Sequence, residues 1–140
     1  MVGWGLGRNG EPLKERVKKR KPTVRSLKRR LDKLYSEIIR KRGICARCRK
    51  GAERVTLQTA HIISRRNLAV RWDLNNGIPL CYSCHFFWAH KEPIWFNDFA
   101  KEYLGEYKFE QLKMRAKKIK KWTIQDLQTL LTQLEKLKET

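Results

Sequence analysis

The sequence predicts an α+β fold that is mostly α-helical. Apolar residues recur at helical spacing in four segments, whereas only two short stretches have the character of strands. The central elements follow the order strand, loop, strand, helix, and two Cys-x-x-Cys pairs frame them. The length of 140 residues suggests one domain with extensions at both ends.

The first helix is expected over residues 23–43. Its apolar face is formed by Leu27, Leu31, Leu34 and Ile38. Thr23 is a candidate N-cap, and Gly43 stands where a helix would stop. Residues 1–22 are Gly-rich at first and then basic, and we expect them to form a flexible N-terminal arm.

The central region, residues 44–92, is expected to form the core of the fold. Alternating Val55, Leu57 and Thr59 predict a first strand that leads into His61. An irregular loop, a second strand and a helix follow at residues 63–75, 78–80 and 81–90. That helix ends before Pro93, because the residue before a proline avoids the helical region.

Residues 93–140 are expected to form a helical extension. Its three helices are predicted at residues 94–104, 109–121 and 123–138. The middle helix has a stripe of Leu112, Ala116 and Ile119. The last has a Thr123 to Asp126 cap and a longer leucine stripe. That stripe favours packing in the core of one chain, so a monomer is favoured and a dimer stays possible.

The charge balance points to a polyanionic partner. The chain has 33 Lys and Arg residues against 14 Asp and Glu, a formal charge of +19. Such a charge raises the local concentration of phosphates, so nucleic acid is favoured over a merely basic surface. An anionic membrane is a weaker alternative, because the sequence has no run of about 18 apolar residues. Without a signal-peptide pattern, a cytoplasmic location is expected.

Four cysteines form two Cys-x-x-Cys pairs, Cys45 with Cys48 and Cys81 with Cys84. Each short turn lets two thiolates reach one ion, and four soft sulfur ligands suit tetrahedral Zn²⁺. Because four protein ligands leave no open position, this zinc is expected to be structural. The alternatives are disulfides, a redox pair or unrelated thiols, which the paired spacing disfavours.

Between the cysteine pairs, the residues form a more specific pattern. The chain reads Ala60-His61-Ile62-Ile63, then Asn76, then Cys81-Tyr82-Ser83-Cys84-His85. Over about residues 45–90, this arrangement resembles the HNH endonuclease family. That resemblance implies a zinc-bound ββα-metal, treble-clef-like core, flanked here by basic helices.

The resemblance also implies a metal-dependent DNA endonuclease. His61 matches the general base of the family, and Asn76 matches the residue that orients it. His85 matches a ligand of a catalytic divalent ion, Mg²⁺, Mn²⁺ or another. Family products carry 5′-phosphate and 3′-hydroxyl ends, and a single site implies nicking of one strand. The chain also resembles small HNH proteins of bacteriophages, which are often encoded near packaging functions. That resemblance implies that the protein acts in the cytoplasm of a bacterial host and has packaging proteins as partners.

One position departs from the family pattern. Many members have Asp or His immediately before the base, where this chain has Ala60. The missing ligand is expected from Asn76, Asp73, His90, substrate phosphate or water. His90 lies five residues after His85, about 140° round a regular helix, so only a loosened turn would bring both to one ion. Its alternative role is a cation at a helix C-terminus.

Arginines in the loop after His61 are candidate contacts to the backbone of double-stranded DNA. They are Arg65, Arg66 and Arg71, whose planar guanidinium groups suit phosphate oxygens. The aromatic residues nearby are expected to pack in the core rather than stack on bases: Trp72, Phe86, Phe87 and Trp88. Two non-catalytic alternatives remain open, a zinc-stabilised nucleic-acid-binding module and a packaging accessory with a vestigial site.

Overall fold

The computed structural model describes Gly10 and residues 20–140. Its regular elements are α1 (Val24–Arg40), β1 (Leu57–His61), a short 3₁₀ helix (Leu74–Asn76), β2 (Gly77–Cys81), a π-helix (Ser83–Ala89), α2 (Pro93–Leu104), α3 (Glu106–Ala116) and α4 (Ile124–Glu139). This arrangement confirms the α+β, mostly α-helical fold class and the order strand, loop, strand, helix. Most of the expected arm, residues 1–22, lies outside the described residues, and the division at residues 22, 43 and 92 stays a prediction.

Helix α1 begins at the expected cap. The Thr23 hydroxyl accepts a hydrogen bond from the Ser26 N–H at 3.0 Å, and the Ser26 hydroxyl accepts one from the Thr23 N–H at 2.9 Å. These bonds satisfy backbone donors that the first helical turn leaves free. Beyond the helix, Gly43 has φ +83°, which glycine adopts without a steric penalty, and turns the chain toward Cys45.

The two strands form an antiparallel pair in which Leu57 lies opposite Cys81 and His61 lies opposite Gly77. Helix α1 crosses this sheet closely at Gly77. A Cβ atom at that position would lie 2.6 Å from the Tyr35 hydroxyl, so only glycine fits. The close approach places the Tyr35 ring beside the His61 ring, with their centroids 5.6 Å apart.

Two clusters of buried side chains stabilise the fold. The first joins the sheet, the π-helix, α2 and α3, and includes Ala60, Ile78, Leu80, Phe96, Ala100 and Phe109. The second joins α1, α4 and Trp72, and includes Leu27, Leu31, Tyr35, Leu127, Leu131 and Leu134. The leucine stripe of α4 therefore packs against α1 of the same chain, and Trp72 is buried as expected.

The predicted middle helix of the extension is wrong at both ends. It spans Glu106–Ala116 instead of 109–121, and Ile119 is 94% exposed in the connection that follows. The helix stops at Ala116, whose carbonyl accepts a hydrogen bond from the Asn67 side chain at 2.9 Å. That contact gives the Ala116 carbonyl a donor, which a further helical turn would otherwise have supplied.

The prediction that Phe86 and Phe87 pack in the core is also wrong, since both rings are about half exposed. Trp88, by contrast, packs against the first cluster as expected. The cause is the geometry of the π-helix, which turns the two phenylalanines outward. None of the helices that the structure describes combines the length and the apolar character needed to cross a membrane.

Candidate functional site

The four cysteines converge on one point. Their Sγ atoms all lie within 4.8 Å of one another, and the thiols are free. The Sγ atoms of Cys48 and Cys81 are 3.7 Å apart. Zn–S bonds of about 2.3 Å in a tetrahedron place sulfur atoms about 3.8 Å apart, so the donor set fits one zinc ion.

Local backbone structure positions each cysteine pair. In the first pair, the Cys45 carbonyl accepts from the Arg49 N–H at 2.9 Å, and Arg49 takes φ +66° to close the turn. In the second, Cys81 ends β2 and Cys84 lies in the first turn of the π-helix. The Ala46 N–H donates to the Pro79 carbonyl at 2.8 Å, which joins the first turn to β2, the strand that ends at Cys81.

The electrostatics of the cluster also fit a cation. Burial raises the pKa of Cys45, but backbone N–H donors from Cys81, Cys48 and Arg47 outweigh it and lower that pKa to about 6. Burial, reinforced by Cys81 and Cys45, raises the pKa of Cys84 to about 12. One thiolate therefore opposes ionisation of its neighbours. A bound cation would remove this conflict, since metal-bound thiols are deprotonated.

A separate cleft of about 670 Å³ contains the histidines. His61, His85 and His90 all line it, together with Arg65. Helix α1 and the start of α2 form its other walls. The two histidines that the sequence assigned to one site therefore face the same compartment, and His90 joins them.

His61 ends β1 and is partly buried beside Tyr35. Burial is the main cause that lowers its pKa below the ordinary histidine value, and the positive charge of Arg65 acts in the same direction. The main-chain carbonyl of Arg71 opposes this shift by accepting a hydrogen bond from the ring. The net effect favours the neutral imidazole near pH 7.

Asn76 holds the loop that follows His61. Its side chain is fully buried, and its amide oxygen accepts from the Ile63 N–H at 2.7 Å. The amide nitrogen donates to the carbonyls of Ile63 at 3.0 Å and Val70 at 3.1 Å. The Asn76 carbonyl also accepts from the Ile62 N–H at 2.9 Å. These bonds fix the backbone immediately after His61, so Asn76 acts on the loop and does not enter the cleft.

His85 and His90 meet because their helix is wider than expected. The His90 N–H donates to the His85 carbonyl, five residues back, at 3.2 Å. This π-type bond replaces the α-helical turn predicted for residues 81–90 and brings residues five apart to the same side. The two Nε2 atoms are 3.0 Å apart, whereas a regular helix would have separated the rings.

The spacing of the histidine pair fits an N–H···N hydrogen bond, and it also fits two neighbouring metal ligands. Metal–nitrogen bonds of about 2.1 Å place adjacent nitrogen ligands of an octahedral ion about 3.0 Å apart, the distance that separates the two Nε2 atoms. His85 Nδ1 lies 2.8 Å from the Gln58 amide oxygen. Because that oxygen only accepts, it places the proton on Nδ1 and leaves the Nε2 lone pair for a ligand.

The other candidates for the missing ligand are engaged elsewhere. Asp73 accepts from the Arg115 guanidinium at 2.7 Å and from the Asn75 N–H at 3.0 Å. Asn76 uses both of its amide atoms in the loop, and Ala60 is buried without a donor. Within residues 20–140, only the four cysteines form a group of three or more Cys, His, Asp or Glu ligands. The cleft therefore offers two imidazoles to an ion.

Asp32 on α1 organises the arginines of the loop. It accepts from Arg71 at 3.0 and 2.6 Å and from Arg65 at 3.0 Å. The Trp72 indole N–H donates to the same carboxylate at 2.9 Å. The Arg71 side chain is only 15% exposed, whereas that of Arg65 is 60% exposed and Arg66 is exposed. DNA contact by these three arginines stays a prediction, and Arg65 and Arg66 are the accessible ones.

Sequence reasoning missed Gln58, Asp32 and Tyr35. A polar glutamine on a half-buried strand was a signal that it has a partner, but nothing in the sequence named His85. Asp32 is one of only two acidic residues in α1, and nothing in the sequence indicated that it pairs with Arg71. Tyr35 follows Leu34 at the edge of the apolar face, and only the close approach of α1 to Gly77 brings it to His61.

Comparison with protein families agrees with this geometry. Residues 45–86 match the family model described as HNH endonuclease, so this segment is similar to that family. The match covers under a third of the chain and includes all four cysteines, His61, Asn76 and His85, whereas His90 lies just outside it. No curated protein and no solved structure matches the chain.

Proposed function

We propose that this chain is a metal-dependent DNA endonuclease. The observation that carries the proposal is the shared cleft, which His61, Arg65 and the His85–His90 pair all line. All of these except His90 lie within the segment that matches the HNH family. The formal charge of +19 favours a nucleic-acid substrate. An HNH domain implies that substrate as well, and the cleft supplies groups suited to phosphodiester hydrolysis.

His61 is the proposed general base. Its lowered pKa keeps the imidazole neutral at pH 7, so it can accept a proton from a water molecule. That water oxygen bonds to phosphorus while the bond from phosphorus to the 3′ oxygen breaks, and the departing oxygen takes a proton from solvent. The products carry 5′-phosphate and 3′-hydroxyl ends. Asn76 and Tyr35 are positioning residues, which act by fixing the loop and the ring of His61.

His85 and His90 are the proposed holders of a catalytic divalent ion. Such an ion would stabilise negative charge on the phosphate and on the departing oxygen. Two imidazoles without a carboxylate suit transition-metal ions better than Mg²⁺, so we expect Mn²⁺ or a later transition ion to support more activity than Mg²⁺. The four-cysteine cluster is proposed to hold Zn²⁺ with a structural role.

Arg65 and Arg66 are the proposed contacts to the DNA backbone. Both are exposed at the loop beside the cleft, and Arg65 lines it. The ion pair between Arg65 and Asp32 is solvent-exposed on the arginine side, and such pairs contribute little, so a phosphate can replace the carboxylate. Arg71 instead acts through Asp32 to hold the loop. Contacts of this kind weaken steeply with salt.

The test is plasmid cleavage by the purified protein with Mg²⁺, Mn²⁺ or Ni²⁺. Because one cleft acts on one strand, supercoiled plasmid should become relaxed circles before linear DNA appears. The His61→Ala variant should lose about 100-fold or more of the rate, the range that a positioned acid–base group contributes. Added imidazole should restore part of that rate to His61→Ala and none to a His85→Ala variant.

Zinc content and DNA affinity serve as controls, since both should be unchanged in His61→Ala. Equal cleavage by His61→Ala and the native protein would remove His61 as the base. DNA binding without cleavage in any divalent ion would instead support a non-catalytic nucleic-acid-binding module or a packaging accessory. A packaging partner from a bacteriophage stays a prediction that this assay does not address.

A further inference from the structure

Three aromatic side chains form an exposed cluster on the π-helix. The rings of Tyr82 and Phe86 lie parallel, with centroids 5.5 Å apart and planes 5° apart. The Phe87 ring stands edge-on to both, at 5.9 and 5.2 Å. We call Tyr82, Phe86 and Phe87 the aromatic platform. Their exposed fractions are 51%, 47% and 54%, which is high for large apolar rings.

The wide turn of the π-helix creates this platform. Cys84 and Ala89 on the same helix are buried toward the cysteine cluster and the core. In a turn that closes at five residues, positions four and five after Tyr82 both return to the side of Tyr82, away from Cys84 and Ala89. The turn that joins His85 to His90 therefore also gathers the three rings in solvent. A feature that serves the cleft and exposes an apolar cluster indicates a surface with a ligand.

The platform adjoins the histidine cleft. The Phe86 ring centroid is 6.2 Å from that of His90, and His90 lines the cleft. A strand whose phosphate enters the cleft would therefore pass beside these rings. The base attached next to a phosphate bound in the cleft would therefore lie within reach of the platform.

Charges around the platform suit a nucleic acid. The Lys91 ammonium lies 5.1 Å from the Phe87 ring centroid. On the other side, Lys50 and Tyr82 line the same shallow depression, and none of the residues lining it is acidic. Cations that flank flat exposed rings are the arrangement by which proteins neutralise a single strand while stacking its bases.

The size of the platform also selects the ligand. A stable protein–protein interface buries about 800 Å² on each partner, far more than three half-exposed rings offer. A nucleobase is a flat ring system that one or two such rings can cover. Bases in a duplex already stack on each other, so the matching ligand is an unpaired base.

We propose that the aromatic platform stacks an unpaired base of single-stranded DNA beside the cleft. The consequence is a preference for substrates with gaps, flaps or single-stranded segments over intact duplex. This inference rests on the proposed function for the path of the strand through the cleft, while the stacking itself is a binding property that does not require cleavage.

The experiment measures binding without divalent ions, so that no cleavage occurs. A short single-stranded oligonucleotide containing 2-aminopurine reports stacking by fluorescence quenching, and anisotropy gives its affinity and that of the matching duplex. Phe86→Leu and Phe87→Leu keep an apolar side chain but remove the ring. Each should weaken single-strand binding by roughly 5- to 150-fold, as loss of a stacked base does, and relieve the quenching. Duplex affinity should change by less than about twofold.

Phe86→Trp, which keeps a flat ring, should retain single-strand affinity and quenching. Tyr107→Leu on α3 removes a ring that is even more exposed but lies outside the platform, and it should change nothing. Zinc content shows whether the Phe86→Leu protein, changed next to His85, is folded. Phe87→Leu tests the platform a second time without changing a neighbour of His85. Unchanged single-strand binding in both leucine variants, or an equal loss for duplex, would overturn the inference, as would altered self-association alone. The same measurement on His61→Ala separates the two proposals. If this variant still prefers single-stranded DNA to duplex, the stacking inference stands whether or not the chain cleaves DNA.

Discussion

The cysteine cluster and the histidine cleft are two candidate metal sites of opposite design. The cluster has four sulfur atoms within 4.8 Å, and three of its four residues are buried. The cleft has two Nε2 atoms 3.0 Å apart, and no third Cys, His, Asp or Glu ligand groups with them in the described part of the chain. A closed ligand set makes metal binding a part of folding, whereas an open set leaves positions for phosphate and water.

The two sites share one structural element. Cys84 and His85 are neighbours in the π-helix, and Cys81 ends the strand that pairs with β1, which ends in His61. Metal at the cysteines would therefore fix a wall of the cleft, because both sites share this helix and strand pair. We expect the cysteine site to contribute far more to folding than the cleft, and the predictions below test this asymmetry.

The largest effect is expected from loss of the cysteine metal. Structural zinc contributes about 10–16 kcal/mol of apparent binding energy, comparable to the whole stability of a typical domain of about 5–15 kcal/mol. Cys45→Ser, or removal of zinc by a strong chelator, should therefore abolish cooperative unfolding. Circular dichroism during thermal unfolding measures this directly.

The matched variants for comparison are His85→Ala and His90→Ala. Both change a candidate metal ligand, but in the open site, so each should retain zinc and unfold cooperatively within a few degrees of the native protein. A folded, zinc-free Cys45→Ser protein would show that the cluster is not a folding element. Unfolding of the histidine variants would remove the asymmetry.

Asn76 should have the next largest effect, because it stabilises the cleft without entering it. Asn76→Ala leaves the Ile63 N–H and the buried carbonyls of Ile63 and Val70 without their partner. Each unpaired buried group costs about 1–3 kcal/mol, so we expect a loss of about 3 kcal/mol in urea unfolding. The adjacent Asn75→Ala change should cost less than about 0.5 kcal/mol. Equal losses at both positions would show that the side-chain bonds of Asn76 contribute no specific stability.

The sequence predicted the cysteine site more completely than the cleft. Four ligands in two Cys-x-x-Cys pairs have a spacing that itself imposes geometry, so convergence of their sulfur atoms followed from the pattern. The strand pair and α1 were predictable for the same reason, since alternation and helical spacing are local. His61 and His85 were found through resemblance, and the structure places them in one cleft.

What the sequence did not predict depends on contacts between distant segments. In a regular α-helix, His85 and His90 would point in different directions. No residue near them in the sequence indicates the π-type turn that brings them together. The same turn reversed the expected burial of Phe86 and Phe87. Gln58 meets His85 only because β1 lies against the π-helix, and Asp32 reaches Arg71 only because α1 crosses the loop.

Gln58 offers a way to weaken the open site alone. Its amide oxygen holds the Nδ1 proton of His85, and groups that orient a ligand in this way are worth about 10- to 100-fold in metal affinity. Gln58→Leu should therefore weaken Mn²⁺ or Ni²⁺ binding by that factor, measured calorimetrically on zinc-loaded protein. Gln125→Leu, on the exposed face of α4, is the control and should bind the ion normally. Native affinity in Gln58→Leu would mean that His85 orientation does not depend on this bond.

The smallest effect is expected at Arg65, through the protonation of His61. Burial and then the Arg65 charge lower the pKa of His61, while the negative charge of Asp32 raises it. Arg65→Gln removes the cation and also leaves Asp32 less neutralised, so both changes raise the pKa. Since the neutral ring is the base, the acid limb of the cleavage profile should move to higher pH. NMR titration of the His61 ring measures the same shift without relying on activity. The control is Arg66→Gln, because the Arg66 charge is not among the causes of the His61 shift. It should leave the pKa of His61 unchanged. A pKa of His61 that stays the same or falls in Arg65→Gln would contradict the electrostatic coupling of loop and base.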